Sequence, residues 1–304
     1  MHTKKLLTGK LPHTLTNDYL FHIVFQKNPK ILRGLIRSLL KLKNEEIIDS
    51  RLENPITPGE KADDKTLILD LLITLNGNQK INIEMQVLNT KDWPERSLTY
   101  LCRSFDNLES GNDYINVMPV IHIGILDYTL FPKYPEFYAH YAMMNIINHN
   151  IYSDKLLLNV LDLTQINIAT ETDIVSGLKH WAQLFKATTW EEIQMLTTNY
   201  KDLENIVDIV QEALADKDIR LQCEARERYE RDRTSLYNSG HREGHREGHI
   251  TGLNEGIEKA IHMMKAANAS KETTITQLME QFDLSEEKAF DKVNLYWDDL
   301  DNKL

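Results

Sequence analysis

Two acids, Asp70 and Glu84, stand in apolar runs that flank a turn sequence. The runs are Thr66–Leu75 and Ile81–Val87, and Asn76-Gly77-Asn78 supplies turn chemistry between them. Apolar runs around a glycine-containing turn predict a β-hairpin. If the turn is a three-residue loop, Leu75 faces Gln79 and Asp70 lies directly opposite Glu84. Directly opposed residues share a sheet face, with Cβ atoms roughly 4.5–5.5 Å apart. Gln86, two residues beyond Glu84, falls on that face as well. The other face is apolar: Leu69, Leu71, Ile73 and Leu75 with Ile81, Ile83, Met85 and Val87. Two carboxylates facing each other in such a hairpin repel, and partial burial adds to the penalty. A hard divalent cation between them reverses the sign, because both then supply oxygen ligands. The alternative is a pair shielded by Lys or Arg, or a register slipped by one residue.

The elements that must position these acids follow from periodicity. Thr16 to Leu42 reads as an amphipathic helix on Phe21, Phe25, Leu32, Leu35, Ile36, Leu39 and Leu40, capped by Thr16 or Asn17. Pro29 breaks it into two pieces. Ile47–Leu52 is a first strand, and Pro55, Pro58 and Gly59 make residues 54–64 a loop. After the hairpin, residues 92–109 form a helix with Leu98, Leu101, Cys102, Phe105 and Leu108 inward and Gly111 able to end it. Val117–Leu126 reads as a buried strand and Leu156–Leu163 as another. From about Glu171 onward only helical segments are expected. The order helix, three strands, helix, strand describes an α/β core of roughly 125 residues. The expected division is a core over residues 1–165, a helical region over 166–235, and a glycine-repeat helix with a terminal helical pair over 236–304.

Several segments carry a family resemblance. They are Thr16-Asn17-Asp18-Tyr19-Leu20-Phe21; Asp64-Lys65 before Leu69-Asp70; Ile81-Asn82-Ile83-Glu84-Met85-Gln86; Arg96 with Tyr100; and Gly111-Asn112-Asp113-Tyr114 before Val120-Ile121-His122-Ile123-Gly124-Ile125. Asp70, a hairpin, then Glu84-Met85-Gln86 resembles the Asp…(Asp/Glu)-x-Lys signature of PD-(D/E)XK nucleases. More specifically, the chain is similar to the recombination-promoting nuclease / putative transposase family over most of residues 14–165. The resemblance implies a restriction-endonuclease-like core, a mixed β-sheet flanked by helices, with an all-helical C-terminal region. It also implies a Mg²⁺-dependent (or Mn²⁺-dependent) DNA endonuclease linked to recombination or a mobile element. Asp70 and Glu84 would then be metal ligands, with the Met85 main-chain carbonyl as a third and Gln86 as a further catalytic residue. Asp18 matches a common position for an additional acidic ligand, although a helix-surface Asp is more often simply solvated. Gln86 stands where the superfamily usually has Lys; it can hydrogen-bond but carries no charge. A displaced cation such as Lys65 could substitute. The alternative function is a catalytically weak or inactive DNA-binding or assembly protein on the same fold.

Net charge is −11, yet residues 1–43 hold nine Lys or Arg against one acid, Asp18. Local charge governs phosphate attraction within about one Debye length, ~8 Å. Lys30, Arg33, Arg37 and Lys41 are spaced 3, 4 and 4, so they form one basic stripe on a helix. The stripe is either a DNA surface or a solvated face. As a DNA surface it predicts that Arg33→Ala with Arg37→Ala flattens the dependence of log K on log salt by about 1.8. Arg96 and Tyr100, near the expected site, complete the candidate DNA contacts and should affect cleavage more than binding.

No apolar run approaches the roughly 18–20 residues that span a bilayer, and residues 1–10 lack the apolar core of a secretory signal. Cys102 and Cys223, far apart and in no metal-like spacing, fit a reducing cytoplasm. Glycine recurs every fourth residue from Gly240 to Gly256. Five glycines in a helix cost roughly 0.8–1 kcal/mol each relative to Ala, which close approach of another helix usually offsets. His241, His245 and His249 follow the same step; a polar repeat face explains them more simply than a metal site. Residues 275–300 read as two helices around a turn, too acidic for phosphate contact. Packing or dimerisation suits them better, which makes a homodimer through the C-terminal helices an expectation.

Overall fold

A computed structural model describes residues 7–54, 70–106, 108 and 111–297. They form a mixed six-stranded sheet flanked by helices, followed by a long helical C-terminal region, consistent with a restriction-endonuclease-like fold. The chain separates into two compact units, residues 1–232 and 233–304.

In the first unit, α1 (Asp18–Lys27) and α2 (Pro29–Leu40) are the two pieces of the N-terminal helix. The break falls where Pro29 removes an N–H, and Asn17 and Asn28 cap the two starts by accepting from Leu20 N and Ile31 N. A 3-10 turn covers Asn44–Glu46, and the expected first strand is shorter than Ile47–Leu52, forming only as β1 (Ser50–Leu52). β2 (Leu71–Leu75) and β3 (Gln79–Gln86) form the hairpin, with Leu75 opposite Gln79 and Leu71 opposite Ile83. Asn76 and Gly77 turn the chain with φ of 50° and 69°. Asn76 Oδ1 also accepts from Ile48 N and Asp49 N, so the turn anchors the lead-in to β1.

β4 (Val120–Leu126) runs parallel to β3, and β6 (Ile151–Asp162) runs parallel to β4. β5 (Tyr138–Met144) pairs antiparallel with β6 and is the sheet edge, giving the order β1-β2-β3-β4-β6-β5. It was not expected from the sequence, because its outer residues alternate poorly and no second partner buries them. One sheet face carries Leu71, Ile73, Ile81, Ile83, Ile123 and Ile125 and packs on Phe21 and Phe25 of α1, and on Trp181 and Phe185 of α5 (Leu178–Lys186). Further helices, α4 (Glu171–Val175), α6 (Trp190–Asn199) and α7 (Ile206–Ala215), continue the all-helical stretch. No helix among the described residues is long and apolar enough to cross a membrane.

The opposite face is crossed by α3 (Trp93–Phe105). Here the sequence-based facing needs correction. Trp93, Ser97 and Leu101 are the buried residues, whereas Leu98 is 54% exposed and Cys102 is exposed. The reason is that Trp93, at the start of the helix, is buried against Gly124 of the sheet and sets the rotation of the helix. A Cβ on Gly124 would fall 2.1 Å from Trp93 Cζ2, so β4 needs a glycine under the indole. Gly124→Ala forces a fully buried ring aside in a packed layer. We expect it to lower stability by about 1–3 kcal/mol or more, read as a fall in urea midpoint. A midpoint equal to wild type would show that the indole has room to move.

In the second unit the glycine repeat is helical, within α8 (Lys217–Ala266). The expected close approach is not made by the chain itself along most of the repeat. Among the described residues no atom lies within 4 Å of a Cβ built on Gly240, Gly244, Gly248 or Gly252, and Gly256 alone meets Phe282, at 3.7 Å. α9 (Lys271–Phe282) and α10 (Glu286–Trp297) are the terminal pair. Leu278, Ala289 and Val293 bury against Ile257 and Ile261, so the pair has a packing role within this unit.

Candidate active site

The β2–β3 ladder ends with Leu71 opposite Ile83, which leaves Asp70 and Glu84 as the next residue along each chain. Asp70 sits just outside β2, and Asn54 holds its backbone in line. Asn54 Nδ2 donates to Asp70 O at 2.7 Å, and Asn54 Oδ1 accepts from Leu72 N at 3.0 Å. The parallel β3–β4 register sets Asn82 beside His122 and Glu84 beside Gly124. Asn82, Glu84 and His122 therefore share the face that α3 crosses. All three are buried, as is Asp70.

Their contacts form one line across three strands. Asn82 Nδ2 donates to Asp70 Oδ2 at 3.3 Å and lies 3.0 Å from His122 Nδ1. His122 Nε2 lies 3.7 Å from Glu84 Oε2. Arg96, on α3, donates from Nε to Glu84 Oε1 at 2.7 Å, and its Nη2 is 2.7 Å from the same oxygen. Glu84 Oε2 is buried with no hydrogen-bond partner among the described residues. The guanidinium rests on the Tyr100 ring at 5.2 Å, and Tyr100 stacks on His122.

Electrostatics follow from this burial. Desolvation raises the Asp70 carboxyl above the usual carboxylate range, opposed by the Asn82 hydrogen bond and the Arg96 charge. Desolvation and then repulsion from Asp70 raise Glu84, opposed by Arg96. Burial, with Arg96 nearby, pushes the His122 imidazole down to about 4, so it is neutral at physiological pH. Two buried acids that resist ionisation, with one cation hydrogen-bonded to Glu84, form a site that gains from added positive charge.

The remaining sequence-derived candidates fall as follows. Gln86 is on the site face, but its Nε2 donates to Leu88 O at 2.8 Å and to Thr90 Oγ1 at 3.4 Å, so the amide is turned into the loop before α3. Met85 is buried, with its side chain in the apolar core. Asp18 is held by Arg226 of α8, whose Nε donates to Oδ1 at 3.0 Å and to Oδ2 at 3.1 Å. That guanidinium, 208 residues away in sequence, gives Asp18 a partner other than a metal. Lys65 lies outside the described residues. Among the described residues no group of three His, Cys, Asp or Glu is arranged to hold a metal, the repeat histidines included.

The basic stripe forms on α2, but each member faces an acid. Lys30 lies 3.7 Å from Glu204, Arg33 3.8 Å from Asp49, and Lys41 3.1 Å from Asp173, while Arg37 contacts Asp202. Helical spacing revealed the cations; it could not reveal carboxylates brought from 16 to 174 residues away. A cation already paired releases few counterions on meeting phosphate. The expected result for Arg33→Ala with Arg37→Ala is therefore a salt slope like that of wild type, well short of the change of about 1.8 that two phosphate contacts would make. Titration of a fluorescent duplex from about 50 to 200 mM salt measures it; a flattening near 1.8 would restore the stripe as a DNA surface.

Asn82 and His122 beside the two acids, and Arg226 on Asp18, are not among the residues the sequence singles out for a role at the site. Alternation along β3 put Asn82 on the face of Glu84 and could have flagged it; the other two depend on pairings distant in sequence. No curated protein and no solved structure matches the chain. The family described as PD-(D/E)XK nuclease family transposase matches residues 15–240. With the buried Asp70–Glu84 face inside a match of that extent, the chain belongs to the PD-(D/E)XK nuclease family transposases.

Proposed function

We propose that the protein is a divalent-metal-dependent DNA endonuclease whose site is centred on Asp70 and Glu84. One observation carries the reading: Glu84 gives one oxygen to Arg96 and leaves the other buried and unpartnered, opposite a second buried acid. The donor set suits a hard cation such as Mg²⁺, which prefers one or two carboxylates and keeps several waters. Asp70 and Glu84 would hold it, with the Met85 main-chain carbonyl as a further oxygen. Bound there, such a cation supplies the charge that activates water and stabilises the scissile phosphate.

The chain's own residues do the rest. Arg96 fixes Glu84 and brings the positive charge that Gln86 lacks. Trp93 and Tyr100 wall His122 and keep water from the apolar side of the site. Incubation of supercoiled plasmid with the protein, with and without Mg²⁺, tests the reading. Nicked or linear product that EDTA prevents is the expected result. The second reading, a non-catalytic DNA-binding or assembly protein, is favoured by the turned-away Gln86 amide. Duplex binding without any metal-dependent product would select it. A link to recombination or a mobile element is part of the proposal and follows the family's transposase character.

A further inference from the structure

Asn82 and His122 contact the two acids yet are neither charged nor assigned any role by the family match. We propose that they are positioning residues: Asn82, hydrogen-bonded to both Asp70 and His122, fixes Asp70 and sets the neutral Nε2 edge of His122 beside Glu84 before a cation arrives. The inference rests on the metal-site reading above for its consequence, but its geometry stands on its own.

The chemistry of the pair is determined by the donors. A carboxylate oxygen accepts, so the Asn82 atom 3.3 Å from Asp70 Oδ2 is the amide nitrogen. That nitrogen carries two hydrogens and lies 3.0 Å from His122 Nδ1. One hydrogen goes to each acceptor, so Nδ1 must accept and the imidazole carries its proton on Nε2. Nε2 has no hydrogen-bond partner among the described residues, and Glu84 Oε2 lies 3.7 Å from it. The ring cannot turn away. It is 0% exposed, with Trp93 at 5.6 Å and Tyr100 stacked at 6.2 Å and 13°. Tyr100 in turn carries Arg96, which holds the other oxygen of Glu84.

The physical advantage lies in neutrality. A Lys between two acids would position them and also discharge them, competing with a cation. An amide bonded to Asp70 and a neutral imidazole facing Glu84 add no charge that would compete with a cation. Partners that orient metal-binding carboxylates and imidazoles typically change metal affinity by about 10–100-fold when removed.

The test uses the full-length protein. In the metal-free state, long-range ¹H–¹⁵N spectra of ¹⁵N-histidine protein, with His122 assigned by its loss in His122→Phe, should show the Nε2–H tautomer. In Asn82→Leu the His122 signals should move toward a tautomer mixture. Calorimetric titration with Mn²⁺ should show His122→Phe binding about 10–100-fold more weakly, and His122→Gln, which keeps a donor near Nε2, recovering most of the loss. The melting temperature of His122→Phe should not fall in parallel, because an apolar ring replaces a buried polar one. An Nδ1–H tautomer in the wild type overturns the proposal, as does unchanged Mn²⁺ affinity in His122→Phe. If the wild type binds no Mn²⁺ but shows the Nε2–H tautomer and its dependence on Asn82, the Asn82–His122 arrangement stands and the metal-site reading fails.

Discussion

Asp70→Asn and Glu84→Gln should each remove Mg²⁺-dependent plasmid cleavage while making the metal-free protein more stable at neutral pH. An enzyme site and a structural ion pair predict opposite signs for this stability change. Both acids are buried, and burial raises both above the ordinary carboxylate range. A carboxyl whose folded pKa is raised costs stability once the unfolded chain ionises, because the folded state then binds more protons than the unfolded state. Stability should therefore decline as pH rises from about 4, the unfolded carboxyl range, through the raised folded values. Neutral amides lack that slope. The gap in melting temperature between variant and wild type should open with rising pH in EDTA and close below about pH 4. Mg²⁺ should raise the wild-type melting temperature and leave the variants unmoved, because ligand that binds only the folded state stabilises it. Cleavage should fall by at least roughly 100- to 1000-fold, the scale of a lost electrostatic contact at a reacting centre. A variant that cuts as fast as wild type would place the activity elsewhere; one that melts lower at neutral pH would make the pair structural.

Arg96→Ala should be nearly as damaging to cleavage, about 100-fold, with little effect on DNA affinity. Arg96 is the one basic side chain hydrogen-bonded to either acid among the described residues, through two contacts of 2.7 Å to Glu84 Oε1. Without it the repulsion from Asp70 and the desolvation of Glu84 go unopposed, and a carboxyl already raised to about 8 keeps its proton to still higher pH. A protonated carboxyl is a poor cation ligand, so the variant should need more Mg²⁺ and gain activity as pH rises. The fold should lose about 1–3 kcal/mol at most. Arg96 is 37% exposed on its side chain, so solvent screens part of the pair. Adding Gln86→Lys to Arg96→Ala should recover part of the rate, because residue 86 shares the site face two positions from Glu84. Duplex affinity measured in EDTA should stay within a few-fold of wild type in all these variants. A loss of affinity that matches the loss of rate would make Arg96 a phosphate contact instead.

The features legible in the sequence are those that depend on near neighbours. Pro29 broke the N-terminal helix where the missing N–H required it. Asn76-Gly77-Asn78 set the hairpin register, and with it the opposition of Asp70 and Glu84. The period of the chain after Glu171 foretold helices throughout the described remainder. The features that were not legible depend on partners remote in the chain. β5 is a strand because β6 offers it a ladder, and its own alternation is weak. α3 turns Leu98 outward because Trp93 must lie over Gly124 on a strand that begins 27 residues later. The stripe on α2 looked free until the fold brought Asp49, Asp173, Asp202 and Glu204 to it. Asp18 looked like a third acid until Arg226 arrived. Local periodicity and turn chemistry determine which face a side chain occupies. They carry no information on the charge or hydrogen bond that meets it from another strand. That is why the sequence alone located the two acids, and only the tertiary structure assigned their neighbours: Arg96 on one oxygen of Glu84, and His122, joined through Asn82 to Asp70, beside the other.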